Sequence, residues 1–96
     1  MDTTTLLPHF EWDEEKSRQN LKKHRISFDA ASKVFLDPDR IELYDELHSF
    51  DEERYITIGI VHDVVFVVYT MRAEIIRIIS ARMATSYERS LYYEQR

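Results

Sequence analysis

The sequence predicts an α+β domain in which N-terminal helices pack on a curved antiparallel sheet and a C-terminal helix follows. Two capped helical segments open the chain, its middle is dense in β-branched and aromatic residues, and Thr85 with Glu88 forms a capping-box pattern near the end. With 96 residues, 44% of them apolar, the chain can build one core and leaves no room for a second domain. We expect a tail over residues 1–9 and a single domain over residues 10–96.

The first half of the chain predicts a short strand and two helices. Residues 10–12 favour a short strand or an extended lead-in. Asp13 is a suitable N-cap for a helix over residues 14–24, whose first turn is acidic and whose last turn is basic. Ser27 caps a second helix over residues 28–36, which has one apolar face and is ended by an Asp-Pro pair.

The second half predicts the sheet. Residues 40–44 alternate between polar and apolar side chains, and residues 45–53 form an acidic loop. Residues 54–61 and 64–71 are the strongest predicted strands, joined by a two-residue hairpin turn, and residues 75–81 form the next strand. The C-terminal helix follows the capping box.

The register of these strands decides which side chains meet. A hairpin turn at His62-Asp63 pairs Arg54 with Met71. A three-residue turn over residues 72–74 would then place Arg54 and Arg77 on one face, whereas a two-residue turn would place them on opposite faces. The sequence leaves both registers open.

Arg77 interrupts a run of isoleucines that otherwise predicts a buried strand. A buried guanidinium is costly unless it is paired. Either a carboxylate of the same chain, such as Glu53 or Glu88, pairs with Arg77, or this cation is kept free for a phosphate.

The two halves of the chain differ in charge. Residues 1–53 contain 14 acidic and 7 basic side chains, whereas residues 54–96 contain 4 acidic and 6 basic ones, all six of them arginine. With a net charge of −5, the chain does not attract nucleic acid through bulk charge, so any such contact needs a local basic patch. Arginine suits that purpose because its planar fork of donors matches phosphate.

The composition also excludes several kinds of site. The chain has no cysteine, which excludes disulfides, zinc–thiolate sites and cysteine nucleophiles. The longest apolar run, residues 64–69, is far shorter than the roughly 20 residues that span a bilayer. The N-terminus has no basic-then-apolar signal pattern. We expect a cytoplasmic protein that does not contact membranes.

Many short motifs follow one another from residue 10 to about residue 94, and the most specific segment is Arg77-Ile78-Ile79-Ser80-Ala81-Arg82, followed by Ala84 and Glu88-Arg89. The order and spacing of these motifs resemble the BrnT family of bacterial toxins in the RelE-like ribonuclease superfamily. The other matching residues are Phe10-Glu11-Trp12-Asp13, Lys16, Asn20-Leu21, Lys23-His24, Phe28, Ala31, Val34-Phe35, Asp37-Pro38, Glu53-Arg54 and Ile58-Gly59. Where the family usually has glycine after its Lys-His pair, this chain has Arg25.

This resemblance implies a small RelE-like domain that acts as a ribonuclease toxin and blocks translation within a bacterial type II toxin-antitoxin system. It also implies a BrnA-type antitoxin with a ribbon-helix-helix DNA-binding part, which neutralises the toxin. The two proteins would form a heterotetramer that reaches operator DNA only through the antitoxin. No cofactor is implied.

Metal-free RNA cleavage needs a base for the 2′-OH, cations for the phosphate and an acid for the departing 5′ oxygen. The four histidines are scattered without metal-ligand spacing, which favours a metal-free RNA endonuclease. The candidate catalytic residues are Lys23, His24, Glu53, Arg54, Arg77 and Arg82. The candidate RNA-binding residues are Lys16, Asn20 and Lys22.

We assign these candidates different roles. Arg54, Arg77 and Arg82 are the electrostatic groups. His24 is an acid or a base, and Glu53 is either a base or a partner that holds Arg54.

Other interpretations remain open at this point. The chain could be a non-catalytic protein-binding module that acts only within a toxin-antitoxin repressor complex, since its acidic loop and negative charge suit a basic antitoxin surface. It could also be a degenerate toxin that keeps the fold without the activity. Lys22 and Lys23 could be a solvated helix end, and Arg82 could contact the terminal helix.

Overall fold

Five strands form one sheet in the computed structural model of the chain, which describes residues 9–95. The strands are β1 (His9–Glu11), β2 (Ile41–Tyr44), β3 (Arg54–Val61), β4 (Asp63–Arg72) and β5 (Ile75–Met83). Their order across the sheet is β1-β5-β4-β3-β2, with β1 parallel to β5 and every other neighbouring pair antiparallel. Of the tail predicted over residues 1–9, residues 1–8 lie outside the described residues, and His9 already belongs to β1.

The helices form where the capping signals place them. They are α1 (Glu14–His24), α2 (Phe28–Ser32) and α3 (Ser86–Glu94). The predicted bounds of α1 and the capping box of Thr85 and Glu88 are confirmed. The single helix predicted over residues 28–36 is wrong in its second half, where the chain tightens into a 3₁₀ turn at Lys33–Leu36. The predicted α+β fold class is confirmed.

The helices cover the two faces of the sheet unequally. α1 and α2 pack on one face, over a core that includes Phe28, Val34 and Val67. α3 packs on the other face, where Tyr92 contacts Ile58 and Val64. We call this second face the α3 face; its side chains include Arg54, Ile56, Ile58, Val64, Phe66, Val68, Thr70, Arg77, Ser80 and Arg82. Among the described residues, no helix is long and apolar enough to cross a membrane.

The β3–β4 hairpin is tighter than the sequence predicts. Val61 pairs with Asp63 around His62 alone, whose φ is 68°. The predicted register is therefore wrong by one residue, and Arg54 pairs with Thr70 instead of Met71. Because side chains alternate along a strand, this slip moves every side chain of β4 to the other face relative to β3.

The β4–β5 turn has two residues, Ala73 and Glu74, since Arg72 pairs with Ile75. Arg77 therefore pairs with Thr70, which also pairs with Arg54. Arg54 and Arg77 share the α3 face, as the predicted three-residue turn also required. The β3–β4 and β4–β5 registers each differ by one residue from that prediction, and the two differences cancel. The two arginines stand two strands apart, which corresponds to about 10 Å between backbones.

Asn20 attaches α1 to the part of β5 that β1 does not cover. Its amide nitrogen donates to the Ile26 carbonyl at 2.8 Å and to the Ala81 carbonyl at 2.9 Å. Its amide oxygen accepts from the Ala81 N–H at 3.3 Å. Asn20 is buried, and its two bonds to Ala81 satisfy backbone groups at an otherwise open strand edge.

Replacing Asn20 by aspartate should destabilise the fold by about 2–4 kcal/mol, because a buried carboxylate would face two carbonyl oxygens that have lost their donor. Urea unfolding measures this loss. Gln19→Ala, on the exposed side of α1, is the control and should change the free energy of unfolding by less than about 0.5 kcal/mol. Equal stabilities for the two variants would contradict this role of Asn20.

Replacing Arg25 by glycine should stabilise the fold by about 1 kcal/mol. Arg25 ends α1 in the left-handed conformation, with φ 64° and ψ 25°, and its N–H donates to the Leu21 carbonyl. A side chain is strained there, and glycine is not. Thermal unfolding tests this gain, with Lys22→Gly inside α1 as a control that should lose about 1 kcal/mol.

Candidate functional site

A cavity of about 320 Å³ opens on the α3 face beside the N-terminal end of α3. Apolar side chains of the central strands form part of its lining, and Arg54 and Arg82 contribute guanidinium groups to it. The lining residues are Asp45, His48, Arg54, Ile56, Phe66, Val68, Ile79, Ser80 and Arg82. Two of the three candidate arginines therefore face one opening, which is large enough for a phosphate and part of a nucleotide.

Arg82 is held rigidly at this cavity. Its guanidinium donates to both carboxylate oxygens of Glu88, at 2.8 and 3.0 Å, and to the Met83 carbonyl at 3.2 Å. The guanidinium carbon also lies 3.9 Å from the centre of the Phe66 ring. A bidentate pair combined with a cation–π contact fixes the plane of the fork. Arg82 therefore contacts the terminal helix, which was the alternative considered from the sequence. It lines the cavity as well.

Glu88 links Arg82 to the start of α3. One of its oxygens also accepts from the Thr85 N–H at 2.8 Å, as the capping box requires. The hydrogen bonds from Arg82 hold the pKa of Glu88 below its usual value. The same carboxylate therefore caps the start of α3 and orients a cation.

Arg54 differs from Arg82 because its charge is unpaired. Within residues 9–95, its guanidinium forms no ion pair and no hydrogen bond. Its backbone is fixed, since its N–H donates to the Ser49 hydroxyl at 2.9 Å and its carbonyl accepts from the Asp45 N–H. An unpaired guanidinium on a fixed backbone at a cavity wall is suited to bind an anion.

Arg77 lies outside the cavity. It donates to Glu11 of β1 at 3.2 Å, and Arg72 approaches the same carboxylate at 3.9 Å. The partner of Arg77 is thus neither of the two carboxylates that we considered from the sequence, Glu53 and Glu88.

Glu53 is not brought together with Arg54. Its carboxylate accepts from the Tyr55 hydroxyl at 2.8 Å, which raises the pKa of that hydroxyl. Tyr55 stacks on Tyr69, on the face that α1 and α2 cover. The side chains of Glu53 and Arg54 therefore point to opposite faces of the sheet.

The candidates on α1 line a second cavity, of about 290 Å³. Its polar lining includes Lys16, Lys23 and His24, and it shares Ile79 and Ser80 with the first cavity. Lys22 is exposed and does not line it. Asn20 does line it, although its amide atoms are bonded to backbone groups of the protein.

The chain is similar to known proteins in sequence and in fold. Residues 12–88 match the family described as "Ribonuclease toxin, BrnT, of type II toxin-antitoxin system". The chain belongs to the BrnT family. The fold is similar to the crystal structure of the Brucella abortus ribonuclease toxin BrnT, with a TM-score of 0.66 and 21% identity over 83% of this chain and 100% of that one. No match is found among curated proteins.

The family match supports the central prediction from the sequence, a ribonuclease toxin of a type II toxin-antitoxin system with an antitoxin as its partner. The BrnT likeness at 21% identity shows the shared fold alone. Within residues 9–95, no group of three or more His, Asp or Glu side chains is placed to hold a metal ion.

His48 is a candidate site residue that the sequence analysis did not include. It lines the first cavity with Arg54, and its Nδ1 lies 3.1 and 3.0 Å from the two carboxylate oxygens of Asp45. The four histidines are far apart in the sequence, so their spacing did not single out His48. A usable signal was the spacing of Asp45 and His48, three residues apart in an acidic loop that ends at Arg54.

Replacing Glu88 by glutamine should cost about 1–2 kcal/mol at neutral pH, because it removes the charge that Arg82 contacts. The pKa of Glu88 in the folded state lies below its usual value of 4.5, so its stabilisation is complete above that pH and is lost as the pH falls through the lower folded-state value. Urea unfolding between neutral pH and about pH 3 should show the difference between wild type and variant shrinking only below about pH 4.5. A difference that stays constant over this range would contradict the role of Glu88.

Proposed function

We propose that this member of the BrnT family is a cytoplasmic RNA endonuclease that cleaves RNA without a metal and thereby inhibits translation. The observation that supports this proposal is the cavity on the α3 face, which joins the unpaired guanidinium of Arg54 to the rigid guanidinium of Arg82. A binding site for RNA phosphate needs such oriented cations, and their fixed geometry makes them more effective than flexible surface charge.

The proposed reaction is a transesterification within the RNA chain. The 2′ oxygen attacks the adjacent phosphorus and loses its proton to a base, while the bond from phosphorus to the 5′ oxygen breaks and an acid protonates that oxygen. The products are a 2′,3′-cyclic phosphate and a 5′-hydroxyl. No electrons are transferred to or from the RNA, and the proton taken up balances the proton given.

The two arginines have complementary tasks in this reaction. Arg54 pairs with the scissile phosphate, since no carboxylate among residues 9–95 forms an ion pair with it. Arg82 contributes a second, preorganised positive group and supports the negative charge that accumulates in the transition state. These groups supply the charge stabilisation that a metal ion provides in other nucleases, which supports a metal-independent mechanism.

The second cavity supplies a continuation of the RNA path. Lys16, Lys23 and His24 line it, and it shares the lining residues Ile79 and Ser80 with the first cavity. We assign Lys16 and Lys23 to the phosphate backbone of the RNA next to the cleaved bond, and Lys22 to a more peripheral contact. His24 faces the same path and is a further candidate for proton transfer.

The partner that we propose is a BrnA-type antitoxin with a ribbon-helix-helix DNA-binding part. The family match implies a type II antitoxin, and the net charge of −5 together with the acidic loop over residues 45–53 suits a basic protein surface. Toxin and antitoxin would form a heterotetramer that binds operator DNA through the antitoxin.

A non-catalytic binding module is the second candidate function. Arg77 and Arg82 both have carboxylate partners within the chain, as structural arginines do. The unpaired Arg54 is what favours the enzyme over this alternative.

Replacing Arg54 by alanine should slow RNA cleavage about 100- to 1,000-fold, equivalent to about 2.7–4 kcal/mol of transition-state stabilisation. The assay uses antitoxin-free protein and single-stranded RNA in EDTA, with growth arrest in cells as a second readout. Arg82→Ala should act similarly, provided that thermal unfolding shows an intact fold. Arg89→Ala is the control and should cleave at the wild-type rate, because Arg89 pairs with Asp63 of β4 and lines neither cavity.

Wild-type protein that leaves RNA intact in EDTA would overturn metal-independent cleavage. Growth arrest that survives both Arg54→Ala and Arg82→Ala, with the fold intact, would favour the binding module instead.

A further inference from the structure

The pair formed by His48 and Asp45 stands beside Arg54 at the edge of the first cavity. We propose that His48 exchanges a proton with the RNA during cleavage, and that Asp45 is the positioning residue that orients its ring. This inference rests on the proposed function, and it deepens that function by naming the proton-transfer group.

The hydrogen bonds of the ring leave one nitrogen available. Nδ1 is engaged by the Asp45 carboxylate, at 3.1 and 3.0 Å from its two oxygens. Within residues 9–95, Nε2 forms no hydrogen bond. An imidazole with Nδ1 bonded to a carboxylate has a fixed orientation and presents Nε2 to the substrate. This is the arrangement that proton transfer to or from a reacting oxygen requires.

Burial differs between the two partners in a way that fits this division of roles. The Asp45 side chain is only 12% exposed, whereas the His48 side chain is 63% exposed. The carboxylate is therefore the buried anchor, and the ring extends from it into the opening, where RNA can reach Nε2.

Hydrogen bonds between the two ends of the β2–β3 loop hold the Asp45–His48 pair beside Arg54. The Ser49 hydroxyl donates to the Asp45 carbonyl at 2.6 Å and accepts from the Arg54 N–H at 2.9 Å. The Asp45 N–H donates to the Arg54 carbonyl at 2.9 Å. One serine hydroxyl and one backbone bond thus join the two ends of the loop. Because His48 sits in the 3₁₀ turn Glu46–His48 between them, its position relative to Arg54 is set by the chain itself.

A comparison with His24 supports the choice of His48. His24 lines the second cavity, and among the described residues no carboxylate is bonded to its ring. His48 lines the first cavity together with Arg54 and Arg82. The imidazole that is already oriented is therefore the one beside the cations that bind the reacting phosphate.

The charged groups around His48 come from its own loop and from the sheet. Asp45, Asp51 and Glu52 lie in or next to the loop, and Arg54 and Arg82 reach the cavity from β3 and β5. As a neutral ring, His48 would take the proton of the 2′-OH as the bond from oxygen to phosphorus forms. As a protonated ring, it would give a proton to the 5′ oxygen as the bond from phosphorus to that oxygen breaks. Either step leaves the reaction balanced, with a second group completing the other transfer.

The first experiment compares His48→Gln with His62→Gln. His62 is exposed at the β3–β4 turn, outside both cavities, and is the matched control. Rates of single-stranded RNA cleavage are measured in EDTA across the pH range in which imidazoles titrate. We expect His48→Gln to lose at least about 100-fold in rate and to lose one limb of the pH profile, while His62→Gln keeps the rate and the profile of wild type.

The positioning role of Asp45 is tested by Asp45→Asn. An amide can still bond Nδ1 but carries no charge, so we expect a loss of about tenfold with the pH limb of His48 displaced yet present. A merely structural role would lower the stability of the loop without moving that limb.

The second experiment does not depend on turnover. An RNA oligonucleotide with 2′-O-methyl groups throughout cannot be cleaved by this route, so it remains bound while imidazole ¹H–¹⁵N signals are recorded by NMR. We expect the Nε2 signal of His48 to shift on binding and that of His62 to stay in place.

The outcomes separate this inference from the proposed function. An active wild type with an equally active His48→Gln of unchanged pH profile overturns the role of His48 alone, as does an unchanged Nε2 signal in the presence of bound oligonucleotide. A wild type that does not cleave RNA overturns both.

Discussion

Side-chain alternation along a strand would place Arg77 and Arg82 on opposite faces of the sheet, because they are five positions apart, an odd number. The register shift between β4 and β5 removes this conflict. Thr70 pairs with Arg77 and Phe66 pairs with Arg82, since an extra residue of β5 is accommodated opposite the step from Val68 to Tyr69. Bulges of this kind redirect side chains and are common beside functional sites. The cavity on the α3 face depends on this shift, because it turns Arg82 towards Phe66 and places Ile79 and Ser80 in the lining.

The three arginines of this face differ in how firmly carboxylates of the same chain hold them. Arg82 is clamped by Glu88, and Arg77 is paired with Glu11 at the opposite end of β5. Arg54 has a fixed backbone, and its guanidinium forms no ion pair among the described residues. Carboxylates in this acidic chain thus fix two of the cations, and those in the part of the chain that the structure describes form no ion pair with the third. A partly buried pair such as Arg82 with Glu88 contributes more to geometry than to net stability, and the electrostatic stabilisation of a transition state depends on geometry.

Local sequence signals were sufficient to predict most of the helices and strands. The sequence carries no comparable signal for contacts between residues that are far apart in the chain. The Asp13 cap, the Ser27 cap and the capping box each involve bonds over three residues, so the sequence displays them directly. The strand register failed because His62 alone turns the hairpin in a left-handed conformation that a non-glycine residue rarely adopts. The partner of Arg77 could not be predicted, because Glu11 is 66 residues away and meets it only through a parallel strand pair. Arg54 and Arg82 became candidates through the resemblance and the arginine-only second half of the chain. The Asp45–His48 pair was not a candidate, because it depends on how a loop closes.

A net charge of −5 conflicts with an RNA substrate only if the RNA responds to the total charge of the protein and not to the charges near it. Coulombic interaction between exposed charges is screened within roughly 8–10 Å at physiological ionic strength, which is shorter than the dimensions of this molecule. A phosphate inside the cavity is therefore exposed mainly to Arg54, Arg82 and the groups next to them. Elsewhere on the surface the acidic side chains repel nucleic acid, which disfavours non-specific binding outside the cavity. The same acidic surface is complementary to a basic protein, so one charge distribution can restrict RNA to the site and still attract a basic antitoxin.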